Sequence, residues 1–294
     1  MDNPGSENHD FTTISPSARW LLLMKGHTTV PYARRAAELI EKPTPYKPDF
    51  KSKDLDFWIR TLHFEMRYRG IDSLLSDLGT ANIIELSSGF SFRGLQMVNE
   101  KKVHFIDTDL PGVIALKKGL ADEMEDGQGR KGHLEMASLN VLDREEFEGI
   151  IRRFGEGPVA IINEGLMMYL NPAEKDQFAG IVRDILKKRG GYWIVGDIYV
   201  KNNIKKAIIS LNPRLKEYYR QQNIEENRFD SFEDAELFFI ERGFKIDREA
   251  GLKFRKLSAF PFMIRAMKFR HFFKYFFAER KKIHAIWRLC LADG

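Results

Sequence analysis

Cysteine is almost missing from this sequence: Cys290 is the only one in 294 residues. A single thiol can form neither an internal disulfide nor a cysteine-cluster metal site, which points to the cytoplasm. Long apolar runs are missing too, and none approaches the roughly 18 residues of a membrane span. The run Leu21-Leu22-Leu23-Met24 is too short for a leader core, and Met1-Asp2-Asn3 carries no positive charge. Neither a transmembrane helix nor a signal peptide is therefore expected. His27, His63, His104 and His133 show no metal-ligand spacing, so no metal is expected and each reads as structural or exposed. Excess charge is small, a net +5, which by itself does not call for a nucleic-acid partner. The chain has no internal repeat and no low-complexity segment. What remains is 43% hydrophobic and 30% charged, an ordinary globular composition in a chain long enough to bury a sizeable core.

Residues 82 to 117 organise the rest. Ile83-Ile84-Glu85-Leu86 is a short apolar run bounded by small polar residues, as in a buried parallel strand. Gly89 follows in a tight turn where a ligand can approach the main chain. Phe92 to Asn99 then starts a helix whose free N–H groups face the space above that turn. A second strand, Val103 to Ile106, ends at Asp107 and Asp109, about twenty residues after the turn. A carboxylate there can accept hydrogen bonds from two ribose hydroxyls, and Asp107 is the first choice of the pair. Strand, turn, helix and acid together read as the nucleoside-binding half of an α/β domain. The spacing of Glu85 to Gly94 lacks the three glycines of a dinucleotide turn, which argues against a dehydrogenase.

Before this unit come about eighty residues of helix. One begins near Ser15 with Pro16 in its first turn. A second spans Tyr32 to Ile40 and stops before Pro43, Pro45 and Pro48. A third, Asp54 to Arg69, carries Leu55, Trp58, Ile59, Leu62 and Met66 at helical spacing and is expected to break at Gly70. Residues 1–80 thus form an N-terminal helical layer or lid on an α/β domain of residues 81–294. Past Pro111 a helix reaches about Glu125, and Gly127-Gln128-Gly129 makes a loop. Further strands are expected at His133 to Leu139, Pro158 to Ile162 and Tyr192 to Val195, the last ending by Asp197. Helices lie between them, the longest capped by Asn171. This alternation argues for a parallel sheet with right-handed crossovers and a site at the carboxyl ends of its strands. Residues 201–228 break the rhythm and read as an inserted helical cap. A helix from Phe232 to Arg242, a strand from Gly243 to Ile246 and a last strand from Ile283 to Leu291 complete a seven-stranded sheet. The aromatic and basic helix 262–282 reads as a packed apolar face with solvated Lys and Arg, although RNA or an acidic membrane surface would suit the same residue types.

The motifs, in order, resemble the leucine carboxyl methyltransferase-like family of S-adenosylmethionine-dependent O-methyltransferases, which includes bacterial polyketide O-methyltransferase-like members. They span about residues 15 to 200. Ser17-Ala18-Arg19-Trp20 through Lys25 looks like the family's N-terminal helix, and Pro31-Tyr32-Ala33 like its Asp-Pro-Tyr-Ala segment with Val30 in place of the Asp. Arg67-Tyr68-Arg69-Gly70-Ile71-Asp72 resembles Arg-Thr-x-x-Ile-Asp. Glu85 to Arg93 resembles the cofactor turn, with Ser87 at the first turn glycine and Ser91-Phe92 replacing Asp-Thr. Asp107 to Pro111 with Lys117 resembles Glu-x-Asp-x-Pro followed by Lys. Glu164-Gly165-Leu166-Met167-Met168-Tyr169-Leu170 is the most specific match, to Glu-Gly-Leu-x-x-Tyr-Leu.

The resemblance implies a class I methyltransferase-like, doubly wound sheet that binds S-adenosylmethionine and releases S-adenosylhomocysteine. In it Arg67 would pair with the cofactor carboxylate, with Lys25 a second candidate. Gly89 would lie against the methionine part, Asp107 or Asp109 would hold the ribose, Asn140 and Val141 would contact the adenine, and Glu164 would face the amino end. Methyl would pass to a hydroxyl or carboxyl of a small molecule or, second, to a protein C-terminal carboxylate. A carboxylate needs no base; for a hydroxyl, His27, Tyr169 and Asp197 are the candidates. The departures at Ser87, Ser91 and Asn140 motivate an alternative, a non-catalytic cofactor-binding or interaction protein of the same fold. A nucleic-acid methyltransferase is the third reading.

Overall fold

The computed structural model describes residues 15–42, 46–125, 129–201, 217, 220–251, 254–267, 282 and 284–292. Most of the expected cap (202–216, 218 and 219), the Gly127-Gln128 loop and residues 268–281 of the aromatic-basic helix lie outside the described residues.

Three helices come first: α1 (Ser15–Lys25), α2 (Ala33–Ile40) and α3 (Leu55–Leu75). Strand β1 (Asn82–Leu86), helix α4 (Arg93–Glu100), β2 (His104–Asp109), α5 (Pro111–Met124), β3 (His133–Ser138), α6 (Arg144–Ile151), β4 (Val159–Asn163), α7 (Pro172–Arg189) and β5 (Gly191–Tyr199) then alternate. Helix α8 (Phe232–Glu241), β6 (Phe244–Glu249), α9 (Phe260–Ala266) and β7 (His284–Leu291) complete the order. The seven strands form one sheet in the order β3-β2-β1-β4-β5-β7-β6. β1 to β5 pair in parallel, while β7 runs antiparallel to both β5 and β6.

Both faces of this sheet are covered, which is why its central strands read as unbroken apolar runs. Side chains alternate across a strand, and β1 and β4 divide accordingly. Ile83, Ala160 and Ile162 pack with Leu22, Tyr68, Ile71, Leu95 and Val98 on the side of α1 to α5. Ile84, Val159 and Ile161 pack with Phe147, Phe178, Ile181 and Phe239 on the side of α6 to α8. Trp193 of β5 anchors the second side, with the rings of Phe178, Phe239 and Phe244 between 5.2 and 5.4 Å away.

Local chemistry sets several helix starts. Asp54 accepts the Phe57 N–H and Asp143 the Glu146 N–H, while Asn171 and Glu174 form a reciprocal capping box at α7. Two expectations need correction. Helix α3 does not break at Gly70 but continues to Leu75. An interior glycine costs about 1 kcal/mol relative to alanine, and burial of Tyr68, Ile71, Leu74 and Leu75 around it outweighs that. Strand β5 does not end by Asp197 but runs to Tyr199, because β7 pairs along it, with a register shift between Val195 and Ile198.

Candidate functional site

The strands β1, β2 and β4 end together, and a cavity of about 650 Å³ opens over their carboxyl ends. At its floor the chain leaves β1 through Ser87 (φ 48°) and Gly89 (φ 50°), both left-handed. Glycine takes that conformation freely, whereas serine holds it at a cost of about 1–2 kcal/mol. The turn is tied down by Asp109: its Oδ2 accepts the Gly89 N–H at 2.7 Å and its Oδ1 accepts the Leu110 N–H at 2.7 Å. A second anchor lies beneath. Lys117, fully buried, donates to Ser88 Oγ at 2.8 Å and pairs with Asp107 Oδ1 at 2.9 Å. Helix α4 sits close because Gly94 faces β2; a Cβ there would stand 2.7 Å from Phe105 Cδ1 and 2.8 Å from Asp107 Oδ2.

The wall over β4 carries a cluster of charges. Glu164 accepts from Lys25 Nζ at 2.9 Å, from Arg67 Nε at 3.1 Å and from Arg93 Nη2 at 3.1 Å. Burial alone would raise this carboxyl, but Lys25, Arg67 and Arg93 outweigh it and hold Glu164 at about 2. Burial lowers the Lys25 ammonium below the usual lysine range, with Glu164 pulling the other way. Arg93 also donates to Asp72 and to the Tyr68 carbonyl (3.2 Å), and lies 3.4 Å from Glu85. Burial raises Glu85 to about 7, against the pull of Arg93. Gly165 (φ 85°) lets the chain turn directly over the Arg67 guanidinium, which a Cβ would approach to 3.2 Å.

Of the residues singled out from sequence, Lys25, Arg67, Gly89, Asp109, Asn140, Val141, Glu164 and Tyr169 line this one cavity. Asp107, Asp197 and His27 do not. Asp107 is wholly buried beneath the turn as the partner of Lys117, which leaves Asp109 as the acid on the cavity wall. Asp197 is buried behind the wall, accepting from Asn163 Nδ2 at 2.7 Å, with the backbone N–H groups of Gly165, Met167 and Met168 directed to it. His27 lies past the end of α1, its Nδ1 3.1 Å from the Leu23 carbonyl and 3.0 Å from Tyr46 Oη, ringed by Phe50, Phe57 and Trp58. Burial depresses its pKa and keeps the ring neutral there. The Asn140 Oδ1 already accepts the Leu142 N–H at 3.1 Å.

Sequence reasoning passed over Arg60, Phe64 and Tyr199 as lining residues, and His63, read as structural or exposed, lines the cavity as well. A signal existed for three of them, since 60, 63, 64 and 67 follow the i, i+3, i+4, i+7 spacing of one helix face. Tyr199 had none, because β5 reads locally as ending before it. Two of the histidines, distant in sequence, come together in the fold. Register between β2 and β3 sets His104 beside His133, and with Glu135 their ligand atoms lie within 4.8 Å of one another. Glu135 there already accepts from His104 at 2.7 Å and faces Arg153 at 3.4 Å. This group stands at the amino ends of the strands, away from the cavity. Among the described residues no helix is long and apolar enough to cross a membrane.

No protein-family model matches the chain, and no curated protein matches it. Solved structures do. A DUF574 family protein from Streptomyces avermitilis superposes with a TM-score of 0.54 at 14% identity, over 94% of this chain and 96% of that one. The fold is that of the class I methyltransferases. Magnesium protoporphyrin IX methyltransferase from Synechocystis, solved with bound SAH, matches at a TM-score of 0.49 and 9% identity over 89% of this chain and 95% of that one. An O-methyltransferase family protein from Burkholderia thailandensis matches at 0.47 and 12% identity over 98% of this chain and 74% of that one.

Proposed function

We propose that the chain is an S-adenosylmethionine-dependent O-methyltransferase acting on a hydroxyl or carboxyl group of a small molecule. One observation carries this: the left-handed turn at Ser87 to Gly89, the acid Asp109 and the cluster Lys25–Arg67–Glu164 converge on one cavity of about 650 Å³.

The donor set suits the cofactor part by part. Of the two acids expected for the ribose hydroxyls, Asp109 rather than Asp107 lines the cavity and takes that role in this reading, and Asn140 and Val141, also lining it, are the adenine contacts. A methionine end carries both an ammonium and a carboxylate. Glu164 answers the first, and Lys25 and Arg67 the second, so bound cofactor exchanges one set of ion pairs for another without stranding a charge. The bound group supplies a methyl on a positively charged sulfur. The protein's part is to orient the acceptor in line with the methyl–sulfur bond and to exclude water. Leu21, Leu22, Phe64, Leu166 and Leu170 furnish the apolar walls for that.

Calorimetric titration with S-adenosylhomocysteine, beside a Gly89→Arg control, tests the proposal. Micromolar binding that the control abolishes is the expected result. No heat with the wild type would overturn it and favour a protein that keeps the fold without the cofactor, for which the strained Ser87 is the motivating feature.

A further inference from the structure

Helix α3 presents His63 and Arg67, one turn apart, to the end of β5, and there both meet one oxygen. His63 Nε2 lies 2.6 Å from Tyr199 Oη, and Arg67 donates its Nη1–H to the same atom at 3.2 Å. A guanidinium cannot accept a hydrogen bond. The phenol oxygen therefore accepts from Arg67, and a single proton, from Tyr199 or from His63, lies in the 2.6 Å contact with His63 Nε2. In the tautomer that leaves Nε2 as acceptor, Tyr199 is the donor of that contact. Burial raises the Tyr199 phenol, against the pull of Arg67, so it stays protonated and passes a proton on rather than standing ionised.

Strand order fixes where this pair lies. β5 is the neighbour of β4 on the side away from β1 and β2. Asp109 ends β2 and Glu164 follows β4, so on the reading above Tyr199 of β5 lies past the methionine end of the cofactor, on the far side of Glu164 from the ribose. His63 and Tyr199 both line the cavity. Among the described residues the titratable and charged neighbours include His284 of β7, whose ring is 5.0 Å from His63 and 4.7 Å from Tyr199, Arg228, 5.5 Å from the Tyr199 ring, and the buried Asp197.

Resting on the methyltransferase reading above, we propose that the acceptor is a hydroxyl compound of the phenol or enol class, deprotonated through Tyr199 onto His63. The acceptor O–H bond breaks as its proton passes to Tyr199 Oη, while the Tyr199 proton moves to His63 Nε2. The acceptor oxygen forms the new bond to methyl as the methyl–sulfur bond breaks, its electron pair remaining on sulfur. The sulfonium charge is lost and one proton is left on His63, so the step balances. A carboxylate acceptor arrives ionised and leaves such a relay without a task.

The test uses the full chain saturated with S-adenosylhomocysteine and 4-nitrophenol as probe, at about one pH unit below the phenol's own pKa, reading the phenolate absorption band. The wild-type complex should bind the probe largely as phenolate. In His63→Gln and Tyr199→Phe the bound phenolate-to-phenol ratio should fall at least about tenfold, one pKa unit, with far-ultraviolet circular dichroism and cofactor-product affinity retained. The relay is overturned if the complex binds 4-nitrobenzoate but not 4-nitrophenol, binds neither probe, binds 4-nitrophenol as the neutral phenol, or shows the same phenolate ratio in both variants. Failure of the wild type to bind S-adenosylhomocysteine is a separate result and overturns the methyltransferase reading instead.

Discussion

Replacing Glu85 by Gln should stabilise the protein at alkaline pH and leave it nearly unchanged in mild acid. Glu85, next to last in the central strand β1, has no exposure to solvent, and among the described residues its carboxylate accepts from Ser91 Oγ at 3.2 Å and from Arg93 Nε at 3.4 Å. Burial raises its pKa from 4.5 to about 7. The sign follows from proton binding. Between these two values the folded chain holds a proton that the unfolded chain has lost, so stability falls as pH rises through the window. A shift of about 2.5 units amounts to about 3 kcal/mol at most, present as a penalty above pH 7 and absent below about 4.5. Glutamine has nearly the shape of the protonated acid and carries no charge at any pH. At pH 8 the variant should therefore gain about 2–3 kcal/mol over wild type, and at pH 5 it should differ by less than about 1 kcal/mol. Arg93 keeps Asp72 and Glu164 as counter-charges in the variant. Guanidinium melts of both proteins at the two pH values decide the matter. Destabilisation at both, or an effect independent of pH, would refute the reasoning.

Ser87→Gly should add about 1 kcal/mol in a urea melt, since it relieves a left-handed serine; a loss of stability would mean that the Ser87 side chain contributes more than the strain costs. Gly165→Ala should weaken S-adenosylhomocysteine binding at least about tenfold, or about 1.4 kcal/mol. Its Cβ would crowd the Arg67 guanidinium at 3.2 Å, and calorimetry against wild type reads the effect. Asp107→Asn and Asp109→Asn should separate by assay. The first leaves the buried Lys117 ammonium without its counter-charge and should cost about 3–5 kcal/mol of stability in a thermal or chemical melt. The second should lower S-adenosylhomocysteine affinity with a smaller loss of stability, and the reverse pattern would place the ribose acid at 107 after all. Glu164, held at about 2 against an ordinary 4.5, stabilises the fold above pH 4.5, and that contribution is lost as pH falls towards 2. Acid titration by circular dichroism should accordingly show wild type holding its fold to lower pH than Glu164→Gln.

Much of the molecule could be read in the one-dimensional pattern because local chemistry determines it. The run Ile83 to Leu86, the turn through Gly89 and the Asn171 cap depend on near neighbours in the chain, and with the strand–helix alternation they named the sheet class and the place of the cavity. The motif Glu164 to Leu170 marked the cluster that Lys25, Arg67 and Arg93 complete. Tertiary structure decided what depends on distant partners. Asp107 and Asp109 are two residues apart on one strand, and only the fold sets Lys117 beneath one and the Gly89 N–H against the other. β7 prolongs β5 by two residues past Asp197, and that extension alone carries Tyr199 to the cavity beside His63. Packing likewise turned His27 into an aromatic pocket and carried α3 through Gly70. A sequence records which groups are available; burial and pairing across more than a hundred residues, 136 between His63 and Tyr199, choose which of them meet.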